Sequence, residues 1–334
     1  LEIMDFGWVE AEMTLVFIAY ALQGAGMLEE LTFNRRASAM RGFISKSGLE
    51  ALFFSPRLRR IAVSGIPPCL FPPELFRVLQ STPSIKEISF TSEYRHRICG
   101  GDNISESSLP VHSPSSCSSV IRPLVSLKIG GDHLLFLLKS LQPHLQTLHH
   151  LHITLHSTTS TGLWTHIQES CTSLVSLRWH DTFRGTGAPL RTSVVSTTED
   201  HRTGFSSALH LGLPQSLRTI ILDLQLTREG RSPHLTMLRM AALPPGLAHI
   251  IVISQEPLRK QDQLDLALHA LVERLPTLKE VWVAQVAFRT PGVAVHLQEG
   301  MAQQFPLMRG SGRLRLLVGT PGEVEEMIKD LLGS

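Results

Sequence analysis

The chain has 334 residues, 43% of them hydrophobic and 18% charged, which is enough apolar surface for a continuous core and too little charge for a disordered polypeptide. A formal net charge of +2 offers no clustered excess of Lys and Arg of the kind phosphate binding needs, so nucleic acid is set aside as a partner. Four cysteines, Cys69, Cys99, Cys117 and Cys171, stand far apart with no C-x-x-C spacing, which argues against a zinc site or a dense disulfide framework and for reduced thiols in cytoplasm or nucleus.

In chain order, Leu1-Glu-Ile3-Met-Asp-Phe6 reads as the end of a strand whose preceding residues are missing, so a chain that starts on Leu1 reads as a fragment. The uncharged run 13–28 is shorter than the ~20 residues a bilayer span needs and is interrupted by Gln23, Gly24 and Gly26. Its flank holds Glu2, Asp5, Glu10 and Glu12 where a secretory signal carries basic residues, so neither export nor a membrane is expected.

From there a short signature, Leu-x-x-Leu-x-Leu, keeps returning. A weak copy, Leu28-x-x-Leu31-x-Phe33, is followed by Leu58-x-x-Ile61-x-Val63, Ile85-x-x-Ile88-x-Phe90, Leu124-x-x-Leu127-x-Ile129, Leu148-x-x-Leu151-x-Ile153 and Leu174-x-x-Leu177-x-Trp179. Leu217-x-x-Ile220-x-Leu222, Leu247-x-x-Ile250-x-Val252 and Leu278-x-x-Val281-x-Val283 complete the series. The spacing of the first anchors runs from 24 residues (Leu124 to Leu148) to 43 (Leu174 to Leu217), the range in which solenoids repeat. Helical periodicity over 74–80, 134–141 and 262–275 precedes some copies, and a proline or small polar turn such as Pro83-Ser-Ile85, Cys171-Thr-Ser-Leu174 or Pro276-Thr-Leu278 sits between helix and strand. The segments 102–123 and 182–204 are poor in large apolar residues and read as long inserted loops. At the end, Leu314-x-Leu316-x-Val318 reads as a last strand. Thr320-Pro-Gly-Glu323 then caps a helix near 323–332 expected to cover the open sheet edge.

Helix then strand, repeated, gives parallel strands, and one such unit cannot bury its apolar face alone. The expected fold is therefore α/β: a single leucine-rich-repeat solenoid over 1–334, a horseshoe or arc with a parallel sheet on the concave face and helices on the convex face.

These units resemble the long, irregular repeats of fungal F-box and leucine-rich-repeat proteins, most clearly in Leu49-Glu-Ala-Leu-Phe-Phe-Ser-Pro-Arg-Leu-Arg-Arg-Ile61. The resemblance implies a scaffold that recruits protein targets through its repeats and joins cullin ubiquitin ligases through an F-box. The chain departs from the family in that module. Phe71-Pro-Pro-Glu-Leu75 imitates an F-box opening, but Pro83-Ser-Ile85-Lys-Glu-Ile88 follows as an ordinary repeat turn and strand, so cullin ligase components are expected as partners only if an F-box lies upstream.

Three constellations bear on function. His150, His152 and His156 lie in Leu148-His-His-Leu-His-Ile-Thr-Leu-His156, where imidazoles two apart on a strand share a face; a metal-binding or hydrolytic protein centred on them is the alternative reading. No Cys, Asp or Glu accompanies them nearby, so no metal and no cofactor are expected. No H-E-x-x-H, G-x-S-x-G or P-loop pattern occurs, and the chain reads as a non-enzyme. The third is the residue between the last two core positions of each repeat, which points into the arc: Thr32, Ala62, Ser89, Lys128, His152, Arg178, Ile221, Ile251 and Trp282 in order. Arg178, Ile221, Ile251 and Trp282 are the expected partner-binding residues, because apolar residues adjacent on neighbouring strands form a contact patch and Trp and Arg dominate binding energies. The competing reading is that β-branched residues simply suit strands, with the C-terminal helix or a loop as their cover.

Overall fold

The computed structural model describes residues 2–3, 28–34, 57–64, 84–91, 124–130, 134–155, 161–181, 212–224, 243–255, 262–286 and 294–333. Packing divides the chain into two compact units, Leu1–Leu148 and His149–Ser334. The loops read at 102–123 and 182–204, the helix at 74–80, and His156 lie outside the described residues.

The first unit holds β1 (Glu2–Ile3), β2 (Glu30–Asn34), β3 (Arg60–Ser64), β4 (Glu87–Thr91) and β5 (Ser126–Gly130), each parallel to the one before. The first residues do form a strand, with Glu2 opposite Thr32. Two helices follow, α1 (Leu134–Ser140) and α2 (Gln142–Leu145).

The second unit begins with β6 (His150–Leu155), α3 (Thr161–Ser170), β7 (Ser176–Asp181), β8 (Thr219–Leu224) and β9 (His249–Ser254). It continues through α4 (Asp262–Arg274), β10 (Glu280–Val286), α5 (Ala294–Ala302), α6 (Pro306–Gly310), β11 (Leu314–Gly319) and α7 (Pro321–Gly333). Its strands pair in chain order from β6 to β11, all parallel.

The signature dictates this arrangement. Its last two positions are two residues apart on a strand and point to one side, while the first anchor sits in the preceding turn. Leu58, Ile61 and Val63 in the first unit, and Leu174, Leu177 and Trp179 in the second, are all buried, as are their counterparts in the copies that start at Ile85, Leu124, Leu148, Leu217, Leu247 and Leu278. Each contributes about 1.5–3 kcal/mol of apolar transfer. On this face α3 supplies Leu163, Trp164 and Ile167, with the Trp164 ring tilted at 60° against Trp179 and centroids 5.2 Å apart, a geometry that aromatic quadrupoles favour. From α4 come Leu264, Ala267, Leu268 and Leu271, spaced for one helical face. Cys171, behind α3, carries a free thiol that burial pushes up to about 12.

The turn before each strand repeats as well. The N–H of Leu174, Leu217, Leu247 and Leu278 donates to the carbonyl three residues back, at Cys171, Pro214, Pro244 and Leu275. The next residue donates a hydrogen bond to its equivalent in the preceding copy: Arg59 to Glu29, Lys86 to Arg59 and Val125 to Lys86 in the first unit, each N–H to O at 2.8 Å. In the second unit the same bond, also at 2.8 Å, links Val175 to His149, Arg218 to Val175, Ala248 to Arg218 and Lys279 to Ala248. The small polar turn residues are used too: Ser216 Oγ donates to the Leu174 carbonyl at 2.8 Å, locking one turn onto the previous one.

Two helix ends are closed by side chains. Asp265, buried in α4, accepts the N–H groups of Leu307 (3.0 Å) and Met308 (2.9 Å), which α6 leaves without partners at its start. Thr320 and Glu323 form a reciprocal capping box at the start of α7: Thr320 N–H donates to Glu323 Oε2 at 2.7 Å and Glu323 N–H to Thr320 Oγ1 at 3.3 Å. The Thr320 N–H, and its hydroxyl at 3.0 Å, both donate to Glu323 Oε2 and hold the Glu323 carboxyl below its ordinary range. Among the described residues no helix is long and apolar enough to cross a membrane.

Candidate functional site

On the face of the second unit's strands opposite the signature residues, register aligns two rows of side chains. One runs His152, Arg178, Ile221, Ile251, Trp282 and Arg315 across β6 to β11; the next runs Thr154, His180, Asp223, Ile253, Ala284 and Leu317. The four residues expected to bind a partner therefore stand side by side on four neighbouring strands.

They are not equally available. Ile221 is 1% exposed and Ile251 0%, so neither is on the surface as the sequence reading has it. The cause is α7. Its Val324 and Ile328 are buried in one apolar cluster with Ile221, Ile251, Ile253, Ala284 and Val286, while Met327, Leu331 and Leu332 from the same helix pack more loosely against it. Positions 324, 327, 328, 331 and 332 fall on one helical stripe, and the apolar part of this sheet face is the surface that stripe lies on. The expected capping helix thus exists where it was read, but it covers the face of the sheet and not merely its edge. Burying Val324 and Ile328 supplies roughly 3–6 kcal/mol, to be set against the entropy of ordering the helix.

Trp282 is half-buried at the margin of the cluster, and its Nε1–H donates to Glu280 Oε2 at 3.0 Å. Glu280 Oε1 in turn receives Arg315 Nε at 3.2 Å. At the opposite margin Arg178 is the hub. Its Nε donates to Asp223 Oδ2 at 2.8 Å and its Nη2 to Asp223 Oδ1 at 3.2 Å, the two-pronged geometry a guanidinium is built for. Its Nη1 donates to Glu325 Oε1 of α7 at 2.6 Å, joining residues 147 apart in the chain. His180 Nδ1 lies 3.2 Å from Asp223 Oδ2 and acts as the donor, since the carboxylate only accepts. Burial by itself raises the Asp223 carboxyl, but the His180 bond and the charge and hydrogen bonds of Arg178 outweigh it and hold the group at about 2.

His150 and His152 share this face, as expected for residues two apart on β6. His150 Nδ1 is 2.8 Å from Ser176 Oγ, and among the described residues no three metal-ligating side chains come together. The equivalent face of the first unit's strands differs in kind. Thr32, Ala62 and Ser89 are small and half-buried and Lys128 is exposed; above them Arg60 bonds Glu87 at 2.6 Å and lies 3.6 Å from Glu30, an exposed ladder worth little to stability.

Sequence reasoning took one outward position per repeat and so missed the next one along each strand, which holds His180, Asp223, Ile253 and Ala284. The available signal was the period of two: each outward residue has a second, two positions on. No family model matches the chain, and no curated protein matches it.

Proposed function

We propose that this chain is a non-catalytic protein-recognition scaffold of the cytoplasm or nucleus: a leucine-rich-repeat solenoid whose outward sheet faces bind another protein, serving as the substrate-recruiting region of an F-box-type ubiquitin-ligase receptor. The recurring anchor turns and the hydrogen bond passed between equivalent residues of successive copies support the repeat reading. One observation supports recognition above all. The outward face of the second unit's strands already grips a helix through an aliphatic strip and an arginine that selects a glutamate, which is how scaffolds hold partners. Mechanism is then complementarity of shape and charge.

The test is quantitative affinity capture from a cell lysate with the native chain, an Arg178→Ala chain and a Lys128→Glu chain. A discrete set of proteins held by the native chain and depleted by one of the two variants is expected. Capture indifferent to both substitutions contradicts the reading. The ligase part is tested on a chain extended upstream of Leu1, with which cullin components co-purify if the reading is right and do not if it is wrong.

A further inference from the structure

We infer that the apolar strip on the outward face of the second unit's strands is a docking site for an amphipathic helix of a partner protein, one with a glutamate beside its aliphatic seam, and that α7 fills this site until such a helix displaces it. The inference rests on the scaffold reading and names the class of partner. A sheet face open to water carries polar outward residues, as the first unit does with Thr32, Ser89 and Lys128. Ile221, Ile251, Ile253, Ala284 and Val286 instead form one aliphatic patch on β8, β9 and β10, and among the described residues the element that lies over it is α7.

That helix is held by two buried side chains and the Arg178–Glu325 bond. Thr320 alone joins α7 to β11, and no strand pairing depends on it. Val324 and Ile328 are its buried residues, while Met327, Leu331 and Leu332 keep part of their surface in water. Elements with few buried contacts open at lower free energy than the core they lie on. Opening bares five adjacent aliphatic residues, the kind of patch that marks an interaction site. Arg178 stands at its rim, oriented by two bonds to Asp223, with Nη1 aimed at the position Glu325 now fills. The matching pattern is written in α7 itself: an aliphatic residue, a glutamate next to it, and a second aliphatic residue four positions after the first, as in Val324-Glu325-x-x-Ile328. Because α7 competes in cis, the affinity for any partner is scaled down to the fraction of time the site is open.

A fluorescein-labelled synthetic peptide of residues 319–334 is the probe, titrated by anisotropy into the full-length native chain and into a full-length Val324→Asp/Ile328→Asp chain. The peptide is expected to bind the double variant at least about tenfold more tightly than the native chain. A Glu325→Lys peptide is expected to bind the double variant about fivefold more weakly, and to recover on a chain that also carries Arg178→Glu. Absence of binding to a double variant that melts cooperatively, equal binding to native and variant, or indifference to the Glu325 charge overturns the inference. Should the double variant not fold, the Arg178→Glu chain, whose aliphatic patch is intact, is expected to prefer the Glu325→Lys peptide over the native one; no preference overturns it. A concentration-dependent dimer of the native chain that disappears in the Val324→Asp/Ile328→Asp chain makes a second copy the occupant and also overturns it. Failure of the peptide with lysate capture still dependent on Arg178 removes this site and leaves the scaffold reading; the opposite pairing of results does the reverse.

Discussion

Asp223 shows how a single carboxylate is kept ionised inside a sheet face. Three N–H donors, two from Arg178 and one from His180, replace the water it loses. Its folded-state value of about 2 lies below the ~3.9 of an unfolded aspartate, so its contribution is complete above the unfolded value and is lost as pH falls toward the folded one. The difference corresponds to about 2–3 kcal/mol. Urea unfolding of the native chain is therefore expected to lose midpoint between pH 5 and 2.5 more steeply than that of an Asp223→Asn chain, which starts lower at pH 7 and converges with the native chain in acid. Parallel curves for the two chains contradict this account of the cluster. Arg178 was legible as an outward cation from its place in the repeat. Its partners were not, because Asp223 lies 45 residues away and Glu325 147, and nothing in local spacing couples them.

Helices and turns divide in the same way between what spacing reveals and what it hides. The helical stretches at 134–141 and 262–275 appear as α1 and α4, the last strand as β11, and the Thr320 cap opens α7, because each is announced by residues within a turn or two of itself. The start of α6 is different. Its capping carboxylate comes from Asp265, more than 40 residues upstream, where the sequence offers only one more polar residue on a helix. Replacing Asp265 with Ala leaves two buried or half-buried N–H groups without an acceptor, and chemical denaturation is expected to show a loss of about 2–3 kcal/mol. A loss below about 0.5 kcal/mol contradicts the assigned capping role, since substitutions that break no such feature fall in that range.

At the scale of the whole chain, the repeat signature made the parallel α/β architecture readable, since alternation on a strand fixes which residues face the helices and which do not. It also placed Arg178, Ile221, Ile251 and Trp282 on one face, and register puts them on adjacent strands. What the signature left out was the state of that face. A strip of isoleucines reads identically whether a partner or the chain's own helix lies on it, and only the packing of Val324 and Ile328 decides between them. The two units differ here: the first presents a small polar face, the second an aliphatic one filled by α7 and fastened at Arg178.

The cover of that second face is most directly measured by methyl NMR on the full-length chain with labelled isoleucines, together with a soluble paramagnetic agent. The account predicts nuclear Overhauser contacts from the Ile328 methyl to at least one of Ile221, Ile251 and Ile253, and no paramagnetic broadening at Ile221 or Ile251. An Ile328 methyl that sees only its own helix, with Ile221 and Ile251 broadened by the agent, contradicts it.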